Sequence, residues 1–216
     1  MIDTAMTMND IWFMLRGAGV TLAITFWAVL GGTILGIACG LIRAGGPKWL
    51  SILVGGFLDI FRSVPLLIQL VLFNSFNSIA KIGLPPFQVA CVGLAIYTAA
   101  YCTEIVRSGV LAVPQTTRRA ARSLGLSWSQ DLTHIVLPMA TRVMLPSWIG
   151  LTLGVMKDTA LVLWIGIAEL LKNSQIIITR LQEPMFVLMV AGLIYFLMSF
   201  PIARVGAHLE KKWQNQ

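Results

Sequence analysis

Apolar and polar positions alternate along this chain in long blocks. Five blocks are long and apolar, at about residues 17–42, 50–76, 87–111, 138–166 and 184–205. Runs of roughly 20 apolar residues match the hydrocarbon thickness of a bilayer when they are helical. Short polar segments separate them. Arg43, Gly45, Gly46, Pro47 and Lys48 make a basic turn, and Lys81, Gly83, Pro85 and Pro86 make the next. Residues 113–140 are polar and basic, residues 169–183 read as a polar connection, and residues 208–216 as a polar tail. The first residues, up to 9, lie outside the core, and a short interfacial helix is expected there with Ile11, Trp12 and Phe13. The expectation is an all-α polytopic membrane protein of five transmembrane helices, a single domain over residues 1–216.

Composition supports the blocks. The chain is 57% hydrophobic and 12% charged, with a mean hydropathy of +0.82. A soluble domain cannot bury that much apolar surface. The net charge of +7 does not point to nucleic acid, because basic residues collect in short segments on one side. Arg43 and Lys48, then Arg118, Arg119 and Arg122, then Arg204, Lys211 and Lys212 share that side. Positive residues mark the cytoplasmic face. The N-terminus, with Asp3 and Asp10, is therefore expected outside and the C-terminus in the cytoplasm. Cys39, Cys91 and Cys102 lie in apolar blocks, as small buried hydrophobes do. No metal-ligand spacing is present, and His134 and His208 are isolated. The N-terminus lacks the basic region of a cleaved signal peptide.

Gly32, Gly36 and Gly40 line one face of the first block, which permits close helix packing. The fourth block is expected to be interrupted by Pro146, Gly150, Gly154 and the pair Lys157 and Asp158. Broken helices with polar side chains near the midplane are how transporters hold charged substrates. Asp158 can meet an ammonium there, and Thr159 hydroxyl and backbone N–H groups a carboxylate. Gln69 is a weaker candidate for the same cavity. The alternative is that Lys157 and Asp158 sit at the outer mouth and pair with neighbours.

Four other charges fall within apolar blocks, where each costs about 2.5–3.5 kcal/mol at mid-bilayer. Asp59 and Arg62 are three apart, as are Glu104 and Arg107. Antiparallel second and third spans could align Asp59 with Arg107 and Arg62 with Glu104 as a two-rung ionic clamp. The alternative is closure of each pair within its own helix.

The polar segment at 113–140 carries the most information. A helix is expected from Thr117 to Leu124, stopped at Gly125, with a second short helix capped by Ser127. Pro138 opens the next block. Ala120, Ala121, Gly125, Ile135, Leu137 and Pro138 stand at the spacing of the coupling loop of ABC importer permeases, which this segment resembles. The alternative is a solvated basic loop that only obeys the charge rule. Residues 61–67, FRSVPLL, resemble the FRGTPLL segment of the polar amino acid permeases in that family. Residues 100–109 resemble their AYxxEIxRxG segment, and residues 157–161, KDTAL, their KDTSL segment.

The resemblance implies a type I ABC importer permease fold of the histidine, glutamate, glutamine and arginine group. It implies that residues of about 112–137 form two short helices docking into an ATPase groove. Arg118, Arg119, Ala120, Ala121, Arg122 and Gly125 would carry that contact, with the two alanines as a small face that slides in close. The family's Glu before the two alanines is Arg119 here, which favours a heterodimer with a second permease that keeps the Glu, a homodimer being the other possibility. The implied partners are an ATPase dimer, which binds ATP and Mg, and an extracytoplasmic substrate-binding protein. The chain itself has no phosphate-binding glycine loop and no nucleophile with a base. It is expected to be a non-enzymatic subunit in the bacterial inner membrane that moves a polar amino acid and contacts lipid. The rival readings are an ion-gradient-driven transporter and a non-transporting scaffold.

Overall fold

The computed structural model describes residues 6–214, and among them every regular element is a helix. Asp3 lies outside the described residues. Helix α1 runs over Met8–Gly45. The Asp10 carboxylate accepts from the Thr7 N–H (2.8 Å) and hydroxyl (2.9 Å) at its start. With that cap and no breaker before Gly17, Ile11, Trp12 and Phe13 belong to α1 and not to a separate interfacial helix. A helix of this length exceeds the roughly 30 Å hydrocarbon core.

Helix α2 (Lys48–Ser63) and α3 (Leu66–Ile79) meet at a 104° bend. The expected straight second span is therefore a broken pair. Pro65 is the cause: its ring pushes Val64 into extended backbone (φ −91, ψ 133), which ends α2. Helix α4 spans Pro86–Ala112. Gly32, Gly36 and Gly40 of α1 lie against Thr98, Cys102 and Val106 of α4 in rising order. A Cβ on these glycines would stand 2.4, 2.5 and 2.6 Å from the opposing Cβ atoms. The two helices are thus parallel and in near backbone contact, a geometry that small residues permit. Parallel helices need a return crossing between them, and α2 with α3 provides it. The structure so holds four spans and one bent pair that makes a fifth.

Helix α5 (Gln115–Ser123) and the short α6 (Trp128–Asp131) follow, and α6 passes through a π-helical turn, Leu132–Val136, into α7 (Leu137–Asp158). A 3-10 segment, Thr159–Ile165, continues it, so that Ser129–Ile165 forms one span of 37 residues. The expected interruption at Pro146, Gly150 and Gly154 does not occur. The α-helix runs through all of them and changes only after Asp158. A glycine costs a helix only about 1 kcal/mol, whereas broken backbone in a membrane leaves polar groups unpaired. Packing also holds α7 straight: Trp148 donates to the Thr33 hydroxyl of α1 (2.8 Å), and Gly206 lies against Ile149.

Residues expected as a polar connection form helix α8 (Leu170–Leu181). Its Leu170, Ile177 and Leu181 pack on Met14 and Ala18 of α1 and on Val187 and Ala191 of α9 (Pro184–Gln214). The expected polar tail from His208 continues α9 in helical form. Contacts order the ends of the bundle. Asn173 donates to the Phe13 carbonyl (2.8 Å) and Arg180 pairs with Asp10, so α8 shares the end where α1 begins. The C-terminal end of α4 packs on the start of α7, through Val110, Val113, Val136 and Ala140, at the opposite end with α5 and α6.

Candidate functional site

Two regions carry the residues singled out in the sequence, one at each end of the 129–165 span. At the first, α5 starts after Pro114, two residues earlier than expected. It ends at Ser123, and Gly125 just beyond it has a φ of +84, a left-handed conformation that glycine adopts without strain. Ser127 and Gln130 cap α6 reciprocally: the Ser127 N–H donates to Gln130 Oε1 (2.8 Å) and the Gln130 N–H to the Ser127 hydroxyl (3.3 Å). The two alanines do not form one docking face. Ala121 is 5% exposed and packs within the chain, whereas Ala120 is exposed. Successive helical positions point about 100° apart, so neighbours cannot share a narrow face. Four residues beyond Ala120 on the same face stands Leu124, 81% exposed, an apolar contact that the sequence reading missed. Arg118 and Arg122 turn back toward Asp131, at 3.2 and 3.9 Å, while Arg119 is exposed.

At the second region, Asp158 is the last residue of α7 and is half-buried, and Lys157 beside it is exposed. The negative end of a helix favours a cation, and the Asp158 carboxylate adds to that field. Tyr97 of α4 lies within electrostatic reach of Asp158, and its ring stands 4.8 Å from that of Tyr101. Tyr101 belongs to the AYxxEIxRxG-like segment at 100–109, whereas Tyr97, four residues before it on α4, was not singled out in the sequence, where only the helical spacing could have drawn attention. Thr159 is buried and its hydroxyl donates to the Met156 carbonyl (2.7 Å), so it is not free to meet a carboxylate. Gln69 is also buried. Its Nε2 donates to the carbonyls of Phe61 (2.8 Å) and Val64 (2.7 Å). It satisfies carbonyls orphaned where α2 ends and braces the bend instead of lining an open cavity.

Next to this region lies Glu169, fully buried. It caps α8 by accepting from the N–H groups of Leu171 and Lys172, both at 2.7 Å, and it accepts from the Tyr195 hydroxyl at 3.2 Å. Burial pushes its carboxyl above the ordinary range, against the pull of these hydrogen bonds. The Leu170 N–H donates to the Thr21 hydroxyl (3.4 Å), which joins α1 to the same polar hub. Glu169 read as a loop residue because α8 was not expected and the Tyr195 donor is 26 positions away on α9.

The two-rung clamp is not what the charges build. Asp59 pairs with Arg62 and Glu104 with Arg107 (2.9 Å) within their own helices. One cross-helix rung remains, Arg62 to Glu104 at 3.9 Å, and no Asp59–Arg107 pair occurs among the described residues. Arg43 of α1, expected only as a turn residue, takes the free place on Glu104. Its guanidinium lies over Gly55 of α2, where a Cβ would come within 3.0 Å of it. The bend at Pro65 and the third helix explain the departure, since two straight helices were assumed.

Comparison with known proteins places this geometry. Residues 32–215 match the family described as the binding-protein-dependent transport system inner membrane component. The chain is 32% identical to the probable glutamine ABC transporter permease protein GlnP of Bacillus subtilis, over 95% of this chain and 96% of that one. It is 31% identical to the nopaline transport system permease protein NocM of Agrobacterium fabrum, over 94% and 88%. A crystal structure of an amino acid ABC transporter with histidines is similar at a TM-score of 0.86 and 27% identity, covering 94% of this chain and 95% of that one. The MetNI methionine ABC transporter shares the fold, with a TM-score of 0.84 at 20% identity, covering 96% and 99%. With most of its length matched, the chain belongs to the inner membrane permease components of binding-protein-dependent transport systems.

Proposed function

We infer that this chain is the transmembrane subunit of an ATP-driven importer that translocates a polar amino acid delivered by an extracytoplasmic binding protein. The relatives named for glutamine and nopaline transport, and the amino acid transporter of like fold, support that substrate class. ATP and Mg are bound, and ATP is split, by a separate ATPase subunit. The observation that carries the mechanism is the single span from Ser129 to Ile165. One end of it carries α6, which adjoins the coupling helix α5, and the other holds Asp158. A push on the first end moves the second as one body.

In this reading α5 and α6 face the cytoplasm, the N-terminus lies outside and the C-terminus inside. Ala120, Leu124 and Arg119 serve the ATPase contact and Gly125 ends the helix that carries them, while Arg118, Arg122 and Ala121 turn inward and hold that helix from behind. Asp158 takes the substrate ammonium, assisted by the negative end of α7, and Lys157 offers charge to its carboxylate. Gln69 and Thr159 keep the surrounding backbone in shape. Arg43, Asp59, Arg62, Glu104 and Arg107 hold α1, α2 and α4 together near the coupling end. Arg119 in place of a Glu favours pairing with a second, Glu-bearing permease over a homodimer. Exposed apolar side chains such as Phe57 (60%) and Leu72 (60%) leave surface for lipid and that partner.

The test is reconstitution in proteoliposomes with the ATPase, a second permease and the binding protein, after screening the binding protein for ligand by thermal shift. Amino acid uptake that needs ATP and every component is expected. Uptake by the lone chain, or uptake abolished by an uncoupler and indifferent to ATP, would overturn this function.

A further inference from the structure

We propose that Asp131 is a strut that locks α5 and α6 at a fixed angle, so that force on α5 reaches α7 without loss in the loop between them. The proposal deepens the coupling role given to this loop and rests on it. Helices α5 and α6 are joined through residues 124–127, and Gly125 within them has φ +84. Such a connection bends easily unless something holds its two sides.

Asp131 is fully buried and stands where α6 passes into the π-helical turn. Its N–H donates to the Ser127 carbonyl (2.8 Å), which anchors it to the second helix. One carboxylate oxygen, Oδ2, accepts from Arg118 Nε at 3.2 Å and lies 3.9 Å from Arg122 Nε. These arginines are four apart and share a face of α5. The other oxygen, Oδ1, is buried without a protein partner. One buried anion thus faces two cations of the neighbouring helix. Removing either side of a buried ion pair leaves the other uncompensated, so the arrangement resists opening. Arg119, pointing away from the strut, has no ion pair among the described residues and remains for the ATPase. Asp131 therefore divides three arginines that look equivalent in sequence: two set the angle of the helix and one faces outward.

The experiment is a double-mutant cycle of Asp131→Asn and Arg118→Gln in the assembled complex, with Asp131→Glu as the conservative variant. The readouts are the stimulation of ATP hydrolysis by loaded binding protein, normalised to assembled complex, and amide hydrogen exchange across residues 115–123. Asp131→Asn is expected to reduce stimulation about five-fold or more, the size of a modest coupling between sites. The double variant should be no worse than the more damaging single one, and exchange in α5 should rise. Asp131→Glu should recover most of the stimulation. Losses that add in the double variant, or unchanged stimulation and exchange in Asp131→Asn, would overturn the strut. If Asp131→Asn does not assemble, the same cycle read on assembly decides: additive losses overturn the strut and non-additive ones support it. Ala120→Trp separates this failure from failure of the coupling role, because it blocks the outward face and leaves the strut intact. Loss of ATPase contact there with a silent Asp131→Asn removes the strut only.

Discussion

The two ends of the 129–165 span differ in burial and charge. The end that adjoins α5, to which we assign coupling, is rich in charge, with Arg118, Arg119 and Arg122 on one short helix, and most of its surface is exposed. The inner end has one half-buried carboxylate, Asp158, followed by buried Thr159 and, after a turn, buried Glu169. Charges in water are screened and replaceable. Charges out of water must each have a purpose or a partner. The same kind of substitution should therefore cost far more at the inner end, and at the coupling end only the residues turned inward should matter to the fold.

The sharpest way to break this comparison is Asp158→Asn. Loss of one contact to a desolvated ammonium should remove about 2–5 kcal/mol of interaction, roughly 30-fold or more. Initial uptake at sub-saturating substrate should fall by that much while the amount of protein in the membrane stays level. Normal uptake would take Asp158 out of the pathway.

At the coupling end the two adjacent alanines should separate. Ala121→Trp overpacks a buried position, a change that costs about 1–3 kcal/mol, and should lower thermal stability of the purified complex. Ala120→Trp should leave stability alone and abolish pull-down of the ATPase. If both variants behave alike, the inward and outward faces assigned here are wrong. A smaller effect is expected from Gly125→Ala, where a side chain must adopt left-handed backbone at a cost of about 1–2 kcal/mol. Coupled hydrolysis should weaken without loss of assembly, and an unaltered rate would show that this turn tolerates other conformations.

Glu169 offers a comparison by pH. Its folded pKa is raised by burial, so its protonated form is the one the fold prefers. Its contribution is complete below the ordinary carboxylate range and is lost as pH rises through the raised folded value. Thermal stability should decline over that acidic window in the wild type and lose this dependence in Glu169→Gln. Parallel curves would mean that Glu169 does not titrate as a buried group. The smallest change is expected for Arg119→Glu, an exposed site where pairs contribute about 0–1 kcal/mol. ATPase stimulation should stay the same or rise modestly. A large loss would place Arg119 in a buried contact within the complex.

Local signals made much of this protein legible. Span number, α5 with its Gly125 stop, and the motifs around Glu104 and Asp158 all depend on residues near each other in sequence. Apolar length, capping chemistry and steric breaks act over a few turns, so the sequence by itself determined them. Proline and glycine were less decisive, and for a physical reason. Pro65 broke its span because Val64 could take extended backbone with Gln69 to satisfy the freed carbonyls. Pro146 did not, because α1 and α9 hold α7 on either side. Only the tertiary structure decided which charges meet: Arg43 reaches Glu104 from 61 positions away, and α8 becomes a helix because α1 and α9 cover its apolar face. It also decided that Ala121 is inside and Ala120 outside. A helix repeats its faces every 3.6 residues whatever surrounds it, and the partner that buries one of them is supplied by distant chain.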